Sequence, residues 1–250
     1  MNMLVDVHCH LDFEEFDPDR DEVVARAGDI LIVNSTVRPQ GIAKALQLCE
    51  RYDNVRCMLG FGASDLDEDA FEAMASLIKQ NRDSIVGVGE VGLDHYWVKD
   101  ERGRQVQRGH LAQMVSISRE LALPLLVHSR DAESECINIL EEHKARAIMH
   151  CFSGSIEDAF RAAKIGCLLS IPCNVTYSRG RQELVKALPL ECMVLESDAP
   201  YLGPRKGERN EPANVRTAAE KIAELKGVDA GMVEEATTGN ALAFIGLKNG

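Results

Sequence analysis

The sequence predicts a (β/α)8 TIM barrel, an α/β fold of eight parallel strands closed on themselves, and three observations lead there. Eight short apolar runs recur along the chain, each is followed by a stretch with helical periodicity, and 250 residues is the length such a repeat fills. The runs are 3–7 (MLVDV), 29–34 (DILIVN), 55–60 (VRCMLG), 84–89 (SIVGVG), 123–128 (LPLLVH), 146–150 (RAIMH), 167–171 (CLLSI) and 192–196 (CMVLE). They are apolar nearly throughout instead of alternating with polar residues, as expected of parallel strands covered on both faces.

The helical stretches follow in turn. The first, within 19–28, is short and is the weakest unit of the repeat. RPQGIAKALQLCERY has Pro39 near its first turn and Ile42, Leu46 and Cys49 as apolar positions; DEDAFEAMASLIKQN places Phe71, Met74, Leu77 and Ile78 on one face. ERGRQVQRGHLAQMVSISREL is the longest, and DAESECINILEEHK, SIEDAFRAAKI and RGRQELVKAL come after it. From Pro212 to about Leu247 the pattern is two helices parted by KGVD. An open doubly wound sheet is the rival architecture, but eight units is long for it and no glycine-rich dinucleotide loop follows the first strand. No linker, low-complexity tract or repeat divides the chain, so one domain over 1–250 is expected.

Composition narrows the function. Forty acidic residues against 28 basic give a net charge of −12, which argues against a broad basic face for nucleic acid. Phosphate chemistry stays open, because bound divalent cations reverse the local field in an acidic cleft. The eight cysteines include no CxxC pair, and most lie in apolar runs, which suits reduced thiols in the cytoplasm. No apolar run has the length of a membrane span, and the N-terminal segment has no signal-peptide pattern. No heptad or apolar stripe calls for an obligate protein partner, so a monomer is expected.

The chemistry lies where the strands stop, since the C-terminal strand ends of a barrel open onto one face. Strand 1 ends in His8 and His10, strand 4 runs into Glu90, strand 5 ends in His128, strand 6 in His150, and strand 8 runs out to Asp198. A lone histidine after an apolar run is more often a satisfied structural residue than a ligand. Four of the seven histidines on one rim with two carboxylates are different, and they read as a metal centre. His8 and His10, two apart on an extended chain, point to one side; Val5 and Val7 are expected on the other, with Asp6 as a supporting residue below the pair. Cys9 turns away into the wall. Four imidazoles and two carboxylates exceed the needs of one tetrahedral zinc and suit two divalent ions, with Glu90 bridging and Asp198 accepting a proton from water. Imidazole favours zinc, manganese or nickel by affinity, while magnesium prefers oxygen ligands but is abundant.

At these residues the chain resembles the TatD family of metal-dependent hydrolases. VDVHCHLD, VGVGEVGLDHY, PLLVHSRDA, IMHCFSGS, LESDAPYLGPRKGERNEPANV and TTGNALAFI match the family's segments in order, over about residues 4–246. The resemblance implies metal positions at His8, His10, Glu90, His128, His150 and Asp198, and places Arg130 facing the site. It also implies hydrolysis of phosphodiesters, commonly in DNA, which would then be a transient partner. After strand 3 the family usually has Gly-x-His-Pro, whereas this chain has Gly62-Ala63 and no histidine. Metal binding should survive that change; rate and substrate choice are placed in doubt.

Beside the resemblance, Arg130, Arg205, Lys206 and Arg209 form a small basic group that would hold phosphate if the loop after strand 8 folds over the mouth. The plainer possibility is a solvated loop whose charges pair with Glu208 and Glu211. His95 could reach into the site in place of the missing histidine or simply pack at the rim. Asp94 and Glu196 fit carboxylates that orient the ligands from behind. The leading function is a deoxyribonuclease with two divalent metals. The alternative is a two-metal barrel hydrolase cutting an amide or ester (lactone-like) bond in a small metabolite, although strand 4 lacks the lysine that such enzymes often carboxylate. A binding protein that keeps the fold without turnover is the third possibility.

Overall fold

Eight parallel strands pair in sequence order: β1 (Val5–Cys9), β2 (Leu31–Thr36), β3 (Val55–Leu59), β4 (Gly87–Asp94), β5 (Leu125–Arg130), β6 (Ala147–Met149), β7 (Leu168–Pro172) and β8 (Met193–Glu196). Each is followed by a helix: α1 (Arg20–Ala27), α2 (Ile42–Arg51), α3 (Glu68–Gln80), α4 (Glu101–Leu121), α5 (Glu133–Glu142), α6 (Ile156–Lys164), α7 (Arg179–Ala187) and α8 (Val215–Lys226), with α9 (Ala230–Ile245) added at the end. The computed structural model describes residues 3–247; the remaining residues of the expected 1–250 domain lie outside the described ones. The barrel closes where the chain leaves β8: Asp198 N–H donates to the His8 carbonyl (2.9 Å) and His10 N–H to the Ala199 carbonyl (2.8 Å). Among the described residues, no helix is long and apolar enough to cross a membrane.

Alternate strand positions fill two apolar layers. Val5, Val7, Leu31, Val33, Met58, Leu126, Ile148 and Val194 pack together with Ala241, Leu242 and Ile245 of α9. The other faces, among them Ile32, Val127, Met149 and Leu195, pack with the helices through side chains such as Phe71, Met74, Leu111 and Met114. Helix α9 sits at the strands' N-terminal end, since Thr238 donates to the Met3 carbonyl (2.9 Å) and Asn240 to those of Leu190 and Met193 (both 2.8 Å). The barrel is thus stoppered at one end, and its C-terminal rim holds the polar residues.

Most strands extend further toward the rim than the apolar runs suggest. Asn34, Ser35 and Thr36 of β2 and Ser129 of β5 still pair along the ladder, because a polar side chain does not prevent backbone pairing. In β4 this extension carries the strand through Glu90 to Asp94.

Asp6 corrects an expectation. Instead of lying below the histidines on their face, it joins β1 to the end of β8. Its carboxylate accepts from Ser197 N–H (2.7 Å), Ser197 Oγ (2.5 Å) and more weakly His8 N–H (3.3 Å). Burial raises its pKa to about 7, against the lowering effect of those donors. Asp6→Ala leaves buried donors without an acceptor and should lower unfolding stability by about 2–3 kcal/mol in urea titrations. The sign of the pH effect follows from the raised folded pKa. The contribution of Asp6 is complete below its unfolded value of 3.8 and fades as pH rises through about 7, so Asp6→Asn should gain relative to wild type between pH 4 and 8.

Candidate metal centre

Two local irregularities aim the site residues. Asp6 pairs with Ile32 but Cys9 with Asn34, so β1 advances three residues while β2 advances two. The added residue changes the alternation: Val5 and Val7 join the inner cluster with α9, Cys9 packs in the outer layer, and His8 and His10 turn toward the centre beside Ser35. The expectation of Val5 and Val7 opposite the histidines is therefore corrected, since simple period-two alternation does not survive an extra residue. Strand β4 repeats the device, with Val88 paired to Leu125 and Val91 to Val127, and Glu90 lies within the irregularity. The backbones crowd there. A Cβ on Gly60 would lie 2.2 Å from the Glu90 carbonyl, and one on Gly89 2.6 Å from that of Leu126.

Each of the four histidines has one ring nitrogen held from outside. His10 Nδ1 lies 2.9 Å from the Ser35 carbonyl and His8 Nδ1 2.9 Å from Ser35 Oγ. His150 Nδ1 is 2.8 Å from Glu196, which also accepts from Ser170 Oγ (2.5 Å); His128 Nε2 is 3.0 Å from Asp94. Such outer bonds fix ring orientation and leave the second nitrogen free to ligate. His8 Nε2 stands 3.4 Å from Glu90 Oε2 and 3.3 Å from Asp198 Oδ1, and His10 Nε2 stands 3.7 and 3.8 Å from the same two oxygens. The other Glu90 oxygen, Oε1, faces His128 Nδ1 at 2.7 Å.

These atoms fit a cation. His8 Nε2 and His128 Nδ1 are buried without any hydrogen bond, although His128 Nδ1 is close to a carboxylate whose direction is wrong for one. Orphaned imidazole nitrogens beside carboxylates are costly unless an ion completes them. Ligating atoms of His8, His10 and Asp198 converge, as do those of His8, Glu90 and His150 and those of His150, Cys151 and Glu196. His128 belongs to none of these groups; it meets the cluster through Glu90 and through its ring, which lies 5.8 Å from that of His150.

The charges are mutually arranged. Burial opposes ionisation of Glu90, but His150, His128 and His8 hold its carboxyl well below the usual range. Asp198 is likewise lowered against burial, by His8, His150 and His10. Burial works against charge on His128, yet Asp94 and Glu90 raise it to about 10.

The centre opens into a cavity of about 690 Å³ at the rim. Arg130 lines it, its guanidinium carbon 3.8 Å above the Tyr96 ring. The other expected substrate contacts lie elsewhere. Arg209 pairs with Asp19 (2.5 Å), donates to the Glu15 carbonyl and covers Phe16, which secures the loop to the β1–α1 segment. Arg205 and Lys206 are exposed outside the cavity lining, with Arg205 3.7 Å from Glu208. His95 is also absent from the lining and faces Glu135 at 3.6 Å. Gly62 and Ala63 do form part of the wall, and a Cβ on Gly62 would meet only Val37 at ordinary contact distance.

Sequence reasoning passed over Arg38, Arg181, Phe13, Trp97 and Tyr201, all of which line the cavity. Arg38 could have been found by the rim rule applied to β2, since it lies two residues beyond that strand. Arg181 is inside a helical pattern and carries no comparable signal.

Comparison with known proteins agrees with this geometry. Residues 5–246 match the family model described as TatD related DNase. An uncharacterized metal-dependent hydrolase of Methanocaldococcus jannaschii is 36% identical over 96% of this chain and 96% of its own. The human deoxyribonuclease TATDN3 is 36% identical over 96% of this chain and 93% of its own. The crystal structure of the Escherichia coli TatD homolog YjjV superposes with a TM-score of 0.89 at 24% identity, covering 98% of each chain. Whole-length matches of this kind, together with the ligand-like cluster at the rim, make the chain a member of the TatD family of metal-dependent hydrolases.

Proposed function

We propose that this protein is a deoxyribonuclease that hydrolyses DNA phosphodiester bonds using two divalent ions. The observation that carries the two-ion reading is the placement of Glu90, whose Oε2 faces His8 and His10 while Oε1 faces His128. One carboxylate with imidazoles at both oxygens can serve two ions. His8, His10 and Asp198 would hold one, and His128 and His150 the other, with Glu90 shared. Bound there, the ions would supply Lewis acidity for an attacking water and for the leaving oxygen. The imidazole-rich set favours zinc or manganese, with magnesium as the alternative.

The remaining steps belong to the chain. Asp198, kept ionised by its histidine neighbours, accepts the proton of the attacking water. Asp94 and Glu196 keep His128 and His150 in their working orientations. Trp97 and Tyr201 are exposed at the cavity mouth, with Tyr96 beside Trp97, and flat rings in that position suit the faces of unpaired bases. The human relative's name, a deoxyribonuclease, supports DNA as the polymer. The eight free cysteines are consistent with a cytoplasmic setting.

Cleavage of a labelled oligonucleotide tests the reading. Chelation or Glu90→Ala should abolish cleavage, and Asp198→Asn should lower kcat by about 10²–10⁴ with little change in KM. Undiminished cleavage in EDTA, or failure of the metal-loaded protein to cut any DNA while turning over lactones or amides, would reject it. Glu196→Ala should weaken metal affinity by about 10–100-fold in competition with a chromophoric chelator.

Metal loading should also depend on pH. With its pKa raised to about 10, His128 carries a proton at neutral pH in the absence of an ion, and that proton must leave when an ion binds. Affinity should therefore rise with pH up to about 10. Calorimetry in buffers of different ionisation enthalpy should show proton release, reduced in Asp94→Ala, where the raising carboxylate is gone.

A further inference from the structure

Arg181 lies in the first turn of α7, half-buried, and reaches the cavity wall next to the candidate ligand His150. Three neutral groups hold it. Nε donates to Asn174 Oδ1 (2.7 Å), Nη1 to the Phe152 carbonyl (3.2 Å) and Nη2 to Cys151 Sγ (2.8 Å). A guanidinium has five N–H donors, so two are left over.

Among the described residues no carboxylate comes within ion-pair distance of Arg181. Other arginines share that condition, among them Arg56, Arg104 and Arg119, which donate to backbone carbonyls, but those three lie outside the cavity lining. Arg26, Arg108, Arg209 and Arg216, on the outer surface, each pair with Asp or Glu. The first turn of α7 contains no acidic residue either, so its positive dipole end is not neutralised locally. The other two cavity arginines differ: Arg38 and Arg130 are exposed, and Arg130 is stacked on Tyr96. Of the three cavity arginines, Arg181 is the one both held by hydrogen bonds and without a counter-charge. A partly desolvated cation held by neutral acceptors has its electrostatic demand unmet until an anion arrives.

We propose that Arg181 is the substrate-positioning residue for the phosphate group: its two spare donors bind non-bridging oxygens of the phosphodiester presented to the metal centre. Cys151, Asn174 and the Phe152 carbonyl serve to aim it. The wall opposite the missing histidine thereby supplies a phosphate contact from β7–α7, and Gly62 leaves room for the group to enter. This inference rests on the phosphodiesterase reading of the site.

The test is steady-state cleavage of a single-stranded oligonucleotide by metal-loaded enzyme, with inorganic phosphate as competitive inhibitor. Arg181→Gln should raise KM about tenfold or more and weaken phosphate inhibition in parallel, with kcat changed less than about threefold. Arg181→Lys, which keeps a point charge but loses the fork, should fall between the two and serves as the readout if the glutamine variant does not fold. Unchanged KM and unchanged phosphate inhibition would overturn the proposal. So would a loss confined to kcat and melting temperature, which marks a merely structural residue. Calorimetric titration of phosphate into loaded wild type and Arg181→Gln decides the point without DNA: equal affinities reject Arg181. A wild type that binds phosphate through Arg181 but cuts no oligonucleotide instead rejects the nuclease reading alone.

Discussion

The carboxylate of Glu90 sits between two sets of imidazoles, and much of the rim is arranged to keep it there. Burial alone would favour its neutral form, but the facing histidines hold it ionised. Those histidines are in turn fixed by Ser35, Asp94 and Glu196, and Glu196 by Ser170. The result is a nested set of polar contacts in which every inward nitrogen depends on an outward one. Such a network is affordable in an interior only when each member has a partner, which is why the orphaned His8 and His128 nitrogens point to an ion.

The close approach of these groups is a backbone matter before it is a side-chain matter. Extra residues in β1 and β4 turn His8, His10 and Glu90 inward at the same height, while Gly60 and Gly89 remove the side chains that would hold the neighbouring strands apart. A regular strand with the same sequence would present either Val5 and Val7 or the histidine pair to the interior. With one added residue it presents both, the valines low against α9 and the histidines high at the rim.

The repeat was legible in the sequence because parallel strands advertise themselves as unbroken apolar runs, and the rim residues because histidines and carboxylates rarely follow such runs by chance. The irregularities were not legible, since hydrophobic period says nothing about where a strand gains a residue. Asp6 was misplaced for that reason. The basic loop, which the sequence left open between two readings, differs again: Arg209 is a cation near the mouth in sequence, but in space it pairs with Asp19 of the β1–α1 segment and is not among the cavity's lining residues. Arg181 was missed because nothing in a helical pattern distinguishes an arginine aimed at a cavity from one aimed at solvent.

The seam between β1 and β8 joins the two ends of the barrel's sequence. His8 and His10 stand on one side of it and Asp198 on the other, tied by backbone bonds and by Asp6 to Ser197. Five of the six candidate ligands precede β8, and the sixth comes only after it. A chain emerging from the ribosome therefore carries its histidines long before it can assemble the centre. The site is complete only once the eighth strand has returned to the first, so a partly made molecule lacks the carboxylate that closes the set.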